Sequence, residues 1–259
     1  MSDNLTEAEF LGSYSLEAWP RPSVTVDVAV LTVRDGALHA LLIQRQALPD
    51  KGAWALPGGF VLPNESLVDT AARVLRTKAG LAAIPTVQVG AFADPGRDPR
   101  GWIISIAHLG AATAPDLERA VAQHGDEMHL ARLEPHENGL RVLVKGDPVT
   151  LAFDHAAILG VAVDHLRASA WHEHHVLHMV PEPFTYGELQ AAFEAVLGHP
   201  IDRMTFRRRL DDARESDEQG GHASGWQLIP AGRRRDGGRA RPAELWISRA
   251  VMDHRRGNA

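Results

Sequence analysis

Val24, Val26, Val28 and Val30 recur at every second position, the period of a strand with one face turned to a core. Asp35-Gly36 then offers a tight turn before Leu38 to Gln44, and together these segments predict a hairpin. Further strands are predicted at Val87 to Phe92, Trp102 to His108 and Leu140 to Lys145. Between them the period changes. Leu67, Ala71, Leu75 and Ala79 stand four apart on one face of a helix that Gly80 is placed to end. Phe153 to Ser169 carries Ala156, Leu159, Val163 and Leu166 at three-to-four spacing, a second amphipathic helix.

Past Pro181 the rhythm differs, and Pro-Glu-Pro-Phe at 181 to 184 marks a boundary, because two prolines bar a continuous helix. Thr185 is placed to cap a helix with Glu188 at capping-box spacing and an apolar stripe of Leu189, Ala192, Phe193 and Val196, ended by Gly198. A second helix follows, with Met204, Phe206 and Leu210 predicted to face inward and Arg203, Arg207, Arg208 and Arg209 in its first two turns. Strand-like Trp226 to Ile229 and Ala243 to Ile247 flank an Arg/Gly segment, in which Arg233 to Arg235 read as a loose loop. Helix, turn, helix and basic-tipped hairpin is the order of a winged helix-turn-helix.

Composition narrows the chemistry. The 259 residues include no cysteine, which excludes disulfides, a cysteine nucleophile and thiolate metal sites. Uncharged stretches are too short for a spanning helix, and the acidic N-terminus lacks the basic-then-apolar order of a secretory signal, so a cytoplasmic address is expected. The net charge of -6 is unevenly spread: residues 1 to 180 carry 14 basic and 21 acidic side chains, residues 181 to 259 carry 13 and 12. All the basic residues of the second part are Arg, and five lie between Arg233 and Arg241. That clustering suggests a local anion-binding surface.

The most specific string, LPGGFVLPNESLVDTAARVLRTKAGL from Leu56 to Leu81, resembles the Nudix signature, with Gly59, Glu65, Arg73, Leu75, Gly80 and Leu81 at the required spacings. The resemblance implies a Nudix-type α/β/α sandwich with a mixed sheet, in which the Gly58-Gly59 loop lets backbone approach a pyrophosphate and Glu65 pairs with Arg73. Active Nudix hydrolases gather divalent cations with three later glutamates. Here those positions are Val74, Thr77 and Lys78, so no catalytic residue and no metal are expected. Asp94, Asp98 and Glu127 are the acids that would have to rebuild a cation site.

LIQRQALPDKGAWALPGG, from Leu42 to Gly59, and DPGRDPRGW, from Asp94 to Trp102, look like segments of Nudix proteins that recognise ADP-ribose. The resemblance nominates Arg45, Arg97 and Arg100 for phosphates and Trp54 or Phe92 for the base, with core aromatics as the alternative for the last two. Lys78 is either a phosphate partner or a solvated helix lysine. His155, in the family-like FDHAAIL, reads as a packing residue at a helix start. Of His172, His174, His175 and His178, 174 and 178 are four apart and could share a helix face, with Glu173 the nearby acid; they read as a polar surface between domains, not a metal site.

FTYGELQAAFEAVLGHPIDRMTFRRRLDDARE, Phe184 to Glu215, looks like the DNA-binding domain of Nudix-related transcriptional regulators of NAD metabolism, the NrtR type, and GRARPAELWIS, Gly238 to Ser248, resembles its wing. The fold class is therefore α+β: a tail (1-20), a Nudix-like ligand-binding domain (21-155), a connecting helix and linker (156-180), a winged helix-turn-helix (181-250) and a second tail (251-259). Arg203, Thr205 and Arg207 are placed for base edges and Arg208 and Arg209 for phosphates, while wing residues Arg239 and Arg241 are placed for a minor groove or backbone. One of Arg207 to Arg209 could instead pair with Asp211, Asp212 or Glu215 at helical spacing. The resemblance implies a homodimeric, ligand-responsive repressor of NAD synthesis or salvage genes, associated with DNA in a bacterial cytoplasm, not with a membrane. It would bind a palindromic double-stranded operator, sense ADP-ribose or a related NAD-derived nucleotide as effector, and require no cofactor. Position alone nominates Phe153 to Ser169 and the His-rich segment after it to carry the coupling between modules. The alternative is a Nudix hydrolase of ADP-ribose pyrophosphatase type with residual activity.

Overall fold

The computed structural model describes residues 6–15, 17, 19–82, 84–137, 139–218, 228–237 and 240–248. A short helix, α1 (Glu7–Ser13), precedes β1 (Ser23–Arg34), β2 (Ala37–Gln44), β3 (Trp54–Ala55), β4 (Gly58–Phe60) and α2 (Leu67–Ala79). Next come β5 (Thr86–Phe92), β6 (Ile103–Ala111), α3 (Ala114–His124), β7 (Met128–His136), β8 (Gly139–Val144), β9 (Asp147–Pro148) and α4 (His155–Ser169). The chain continues through α5 (His175–His178), α6 (Tyr186–Leu197), α7 (Arg203–Glu218), β10 (Leu228–Gly237) and β11 (Ala240–Ser248).

Strands β1 to β9 form one sheet in the order β5-β6-β1-β2-β7-β8-β9, with β3 added to β2 and β4 to β1. β1 runs parallel to β6 and antiparallel to β2, so the sheet is mixed. The alternation along β1 assigns its two faces. Val26, Val28 and Val30 pack with Ala71 and Leu75 of α2 and Leu117 and Ala120 of α3, whereas Ala29 and Leu31 join Ile158, Leu159, Ala162 and Val163 of α4 on the opposite side. The expected α/β/α sandwich follows from that division. Asp35 (φ 49°) and Gly36 (φ 69°) make the predicted hairpin turn in the left-handed region. At α2, Ser66 and Asp69 close a capping box and Gly80 (φ 64°) ends the helix as its spacing predicted.

In the second part Thr185 and Glu188 form the predicted capping box of α6, and Gly198 ends it. Phe206 and Leu210 are buried on α7, but Met204 is 72% exposed, a correction to the inward stripe. Two residues turn a helix by about 200°, so position 204 faces away from 206. Arg233 to Arg235 are not in a loop. They lie within β10, where Arg234 pairs with Glu244 and Arg235 with Ala243 of β11. Phe184 extends that pairing, exchanging backbone hydrogen bonds of 2.9 and 2.8 Å with Trp246.

The α4 face of the sheet does not stop at α4. One apolar cluster runs from Leu31, Leu42 and Ile158 through Val176, Leu177, Met179 and Val180 to Phe184, Phe193, Phe206 and Leu210. This corrects the expectation of a polar surface around 172 to 178, since Val176 and Leu177 are fully buried and His175 is nearly so. Among the described residues no helix is long and apolar enough to cross a membrane.

Candidate functional site

A cavity of about 470 Å³ opens beside β4, bordered by the end of α2, residues 45–47, the 97–100 loop and the start of α4. That volume lies within the range of small-ligand sites. Its floor explains Gly58. That residue pairs with Asp27 across β4 and β1, and a Cβ there would fall 1.8 Å from Asp27 Oδ1. Asp27 is buried and accepts a 2.5 Å hydrogen bond from Ser105 Oγ at Oδ2. His155 Nδ1 accepts the Leu56 N–H at 2.9 Å, which leaves the ring proton on Nε2, 3.6 Å from Asp27 Oδ1. Burial pushes His155 below the usual imidazole range, so it is neutral at pH 7. His155 therefore packs and orients, as its sequence position suggested.

The cationic wall is more differentiated than the sequence implied. Arg97 lines the cavity, but its Nε and terminal nitrogen donate to Asp154 at 2.7 and 2.5 Å and its side chain is only 4% exposed. Its fork ties the 97–100 loop to Asp154, the residue before α4, while the side chain stays on the cavity wall. Arg100 is paired with Asp98 at 2.6 Å and stands 5.3 Å from the Phe60 ring and 5.4 Å from that of Phe153. Arg45 donates from Nε to the Pro49 carbonyl at 2.9 Å and lies 4.5 Å over the same Phe153 ring. Burial and the neighbouring Arg100 charge pull Arg45 below its ordinary value, although a guanidinium stays protonated. Two guanidiniums on one ring form a site for an anion. Among the described residues, neither Arg45 nor Lys78, which also borders the cavity, has an ion-pair partner.

The Nudix helix carries its scaffold pair as the motif implied. Arg73 Nε meets Glu65 Oε1 at 2.7 Å, and its terminal nitrogen donates to Glu65 Oε2 and the Phe60 carbonyl, both at 2.8 Å. The Arg73 hydrogen bonds hold Glu65 down to about 2. Val74 is buried, and its Cγ2 lies 3.0 Å from where a Cβ on Gly59 would stand. Thr77 and Lys78 face the cavity. Of the acids named for a rebuilt cation site, Asp98 is held by Arg100 and Glu127 borders the cavity. Among the described residues no trio of ligand atoms gathers there.

Trp54 and Phe92 do not line the cavity; both pack against the α4-side core, the alternative the sequence left open, and Trp54 also lies 6.3 Å from the His129 ring. The aromatics that do line it are Phe60 and Phe153. The sequence marked 153 to 159 as family-like but gave Phe153 no role. Its backbone is in the left-handed region (φ 51°), a conformation rare for a bulky residue and concentrated at ligand sites.

At the other end of the molecule, Asp202 Oδ1 accepts the N–H groups of Met204 and Thr205, both at 3.0 Å, and so caps α7. Arg203, Arg207, Arg208 and Arg209 are exposed and Thr205 is half-buried. Among the described residues none of these arginines is in an ion pair, Asp211 included; the Asp212 and Glu215 side chains lie outside the description. Arg207 stands 6.0 Å over the Tyr186 ring and Arg209 4.8 Å over Trp171. In the wing, Arg235 turns back to pair with Glu188 and donates to the Pro183 carbonyl at 3.1 Å. Arg233 and Arg234 remain exposed. Arg239 lies outside the described residues, and Arg241 is described only by its backbone in β11.

The two ends meet through α4. Its first residues border the cavity, and near its far end Arg167 donates to the Val196 carbonyl of α6 at 3.1 Å. Trp171 packs at a tilt against Phe193 and Phe206, with ring centroids 4.4 and 5.9 Å away. The histidine-rich stretch is arranged differently from its predicted helix face. His175 meets Glu173, and His165 of α4 joins them.

A Nudix-type sandwich with a cavity lined by cationic side chains, joined to a winged helix that presents a row of arginines, defines a ligand-binding domain fused to a DNA-binding domain. The Nudix domain model matches residues 23–148, and the model of the NrtR DNA-binding winged helix domain matches residues 176–247. A relative from Acinetobacter baylyi, an ADPR responsive transcriptional repressor, is 33% identical over 79% of this chain and 78% of its own length. The structure of Shewanella oneidensis NrtR with a 27mer DNA matches at a TM-score of 0.70 and 28% identity, over 87% of this chain and 93% of that one. An ADP-ribose pyrophosphatase from Methanocaldococcus jannaschii is 40% identical over 34% of this chain and 50% of its own length. The chain belongs to the NrtR family.

Proposed function

We propose that this protein is a transcriptional repressor of genes for NAD synthesis or salvage, and that ADP-ribose or a related NAD-derived nucleotide, bound in the Nudix cavity, sets its hold on DNA. The observation that carries the reading is the convergence of Arg45 and Arg100 on Phe153 beside Lys78, Gly58 and Gly59, a cationic pocket suited to a diphosphate. The relative named as ADPR responsive supports the choice of nucleotide. Arg203, Thr205 and Arg207 read base edges, Arg208 meets phosphate, and Arg209, stacked on Trp171, contributes charge at the rim. Two copies of the chain bind a palindrome in the bacterial cytoplasm, with half-sites about 34 to 36 Å apart.

The protein works without catalysis or a required cofactor. Val74, Thr77 and Lys78 supply no carboxylate to a cation, and Lys78 places positive charge in the cavity. A mobility shift with the promoter beside its own gene, with and without ADP-ribose and NAD, tests the regulatory reading; an effect of neither nucleotide on DNA binding would overturn it. Incubation with ADP-ribose and magnesium or manganese tests the second claim, which fails if turnover reaches ordinary enzyme rates and is lost in Glu65→Gln.

A further inference from the structure

We propose that His165, Glu173 and His175 form a binding site for one divalent cation of the zinc class at the joint between the two parts of the chain. His165 comes from the later part of α4, Glu173 from the connection after it and His175 from the start of α5. The Nε2 atoms of His165 and His175 stand 3.3 and 2.8 Å from the same oxygen of Glu173. All three ligand atoms lie within 4.8 Å of one another. A tetrahedral shell with bonds of about 2.0 to 2.2 Å separates its ligands by about 3.3 to 3.6 Å. The 3.3 Å distance already matches, and an ion between the three groups would part His175 from Glu173 by about half an ångström.

Two imidazoles and one carboxylate are the donors of zinc, cobalt and nickel sites, whereas magnesium and calcium select oxygen alone. The rings meet edge on, at 65° with centroids 6.2 Å apart, so the trio converges by its nitrogens and not by stacking. Access is one-sided. The side chain of His175 is 11% exposed, while those of His165 and Glu173 are 31% and 39% exposed. An ion entering from solvent would keep one position for water. The site stands apart from the Nudix cavity and does not depend on the function proposed above. It would clip the end of α4 to α5, the helix that packs on α6, and hold the winged part against the sheet.

The test uses the full chain, stripped with a chelator and dialysed, with zinc titrated by calorimetry and cobalt by visible absorption. One ion per chain and the intense absorption of tetrahedral cobalt are expected. At a zinc concentration of about 100 times Kd the midpoint of thermal unfolding should rise by about 5 to 10 °C. His165→Ala should weaken binding at least about 100-fold while leaving the metal-free midpoint within a degree or two of the parent, because His165 is partly exposed. Glu173→Gln gives a second reading should the buried His175 resist substitution. His172→Ala and His178→Ala, outside the trio, should bind as the parent does. No stoichiometric binding, or equal binding by the parent and His165→Ala, overturns the proposal.

Discussion

Phe153 offers the sharpest test of the cavity, because one ring organises two like charges. Arg45 and Arg100 stand 4.5 and 5.4 Å from its centroid. Each contact at a partly exposed site is worth about 0.5 to 1 kcal/mol, so the ring supplies about 1 to 2 kcal/mol toward holding both guanidiniums at the anion position. Phe153→Leu keeps most of the volume and removes the π face. It should weaken ADP-ribose binding by about 5- to 30-fold, the same free energy expressed as a dissociation constant. Calorimetry on the full chain reads this directly. The backbone adds a second, opposite signature. At φ 51° the residue occupies a conformation that costs roughly 1 to 2 kcal/mol for a non-glycine side chain. Phe153→Gly should therefore bind nucleotide as poorly as the leucine variant or worse, yet lose less stability than Phe153→Ala. If Phe153→Leu binds ADP-ribose like the parent, the ring does not position the arginines and the cavity is organised differently.

Arg203→Ala or Arg207→Ala should weaken a specific operator by about 1 to 3 kcal/mol while leaving non-specific binding nearly unchanged; footprints identical to the parent would show that another face of α7 reads DNA. The Glu65–Arg73 pair should contribute to acid resistance. Arg73 lowers the Glu65 carboxyl from 4.5 to about 2, so its contribution is present above about pH 4.5 and lost as pH falls toward 2. Glu65→Gln should flatten acid unfolding across that window, and unchanged curves would refute the linkage. Gly58→Ala should destabilise the chain by at least about 1 to 3 kcal/mol in urea, because its Cβ would meet the buried Asp27 carboxylate. Thr77→Glu with Lys78→Glu should raise magnesium affinity, whereas adding Val74→Glu should instead cost stability by burying a charge; calorimetry and thermal melts separate the two.

The features that could be read in the sequence were those with a local cause. The two-residue rhythm of β1, the Asp35-Gly36 turn, the Thr185 capping box and the Glu65–Arg73 spacing each depend on nearby positions. Strand β7 and helix α3 lack such a local signal: β7 mixes Arg132, Glu134 and Pro135 into its run, and α3 buries only Leu117 and Ala120. The cavity required contacts far along the chain. Nothing near Arg97 in sequence points to Asp154 as its partner, and nothing near Asp27 points to Gly58 and Ser105. The resemblance nominates Trp54 for the base, but Phe153, remote from Arg45 in sequence, is the ring the cations stand over.

The continuous apolar cluster from the sheet to α7 also decides how such proteins can be recombined. A chimera cut at Pro181 would separate Val176, Leu177 and Trp171 from the Phe193 and Phe206 faces they cover, and the graft would inherit a mismatched seam. Moving DNA specificity from one relative to another is better done by replacing the exposed residues of α7 alone. The seam that composition marks at the prolines is thus not where the molecule tolerates a cut.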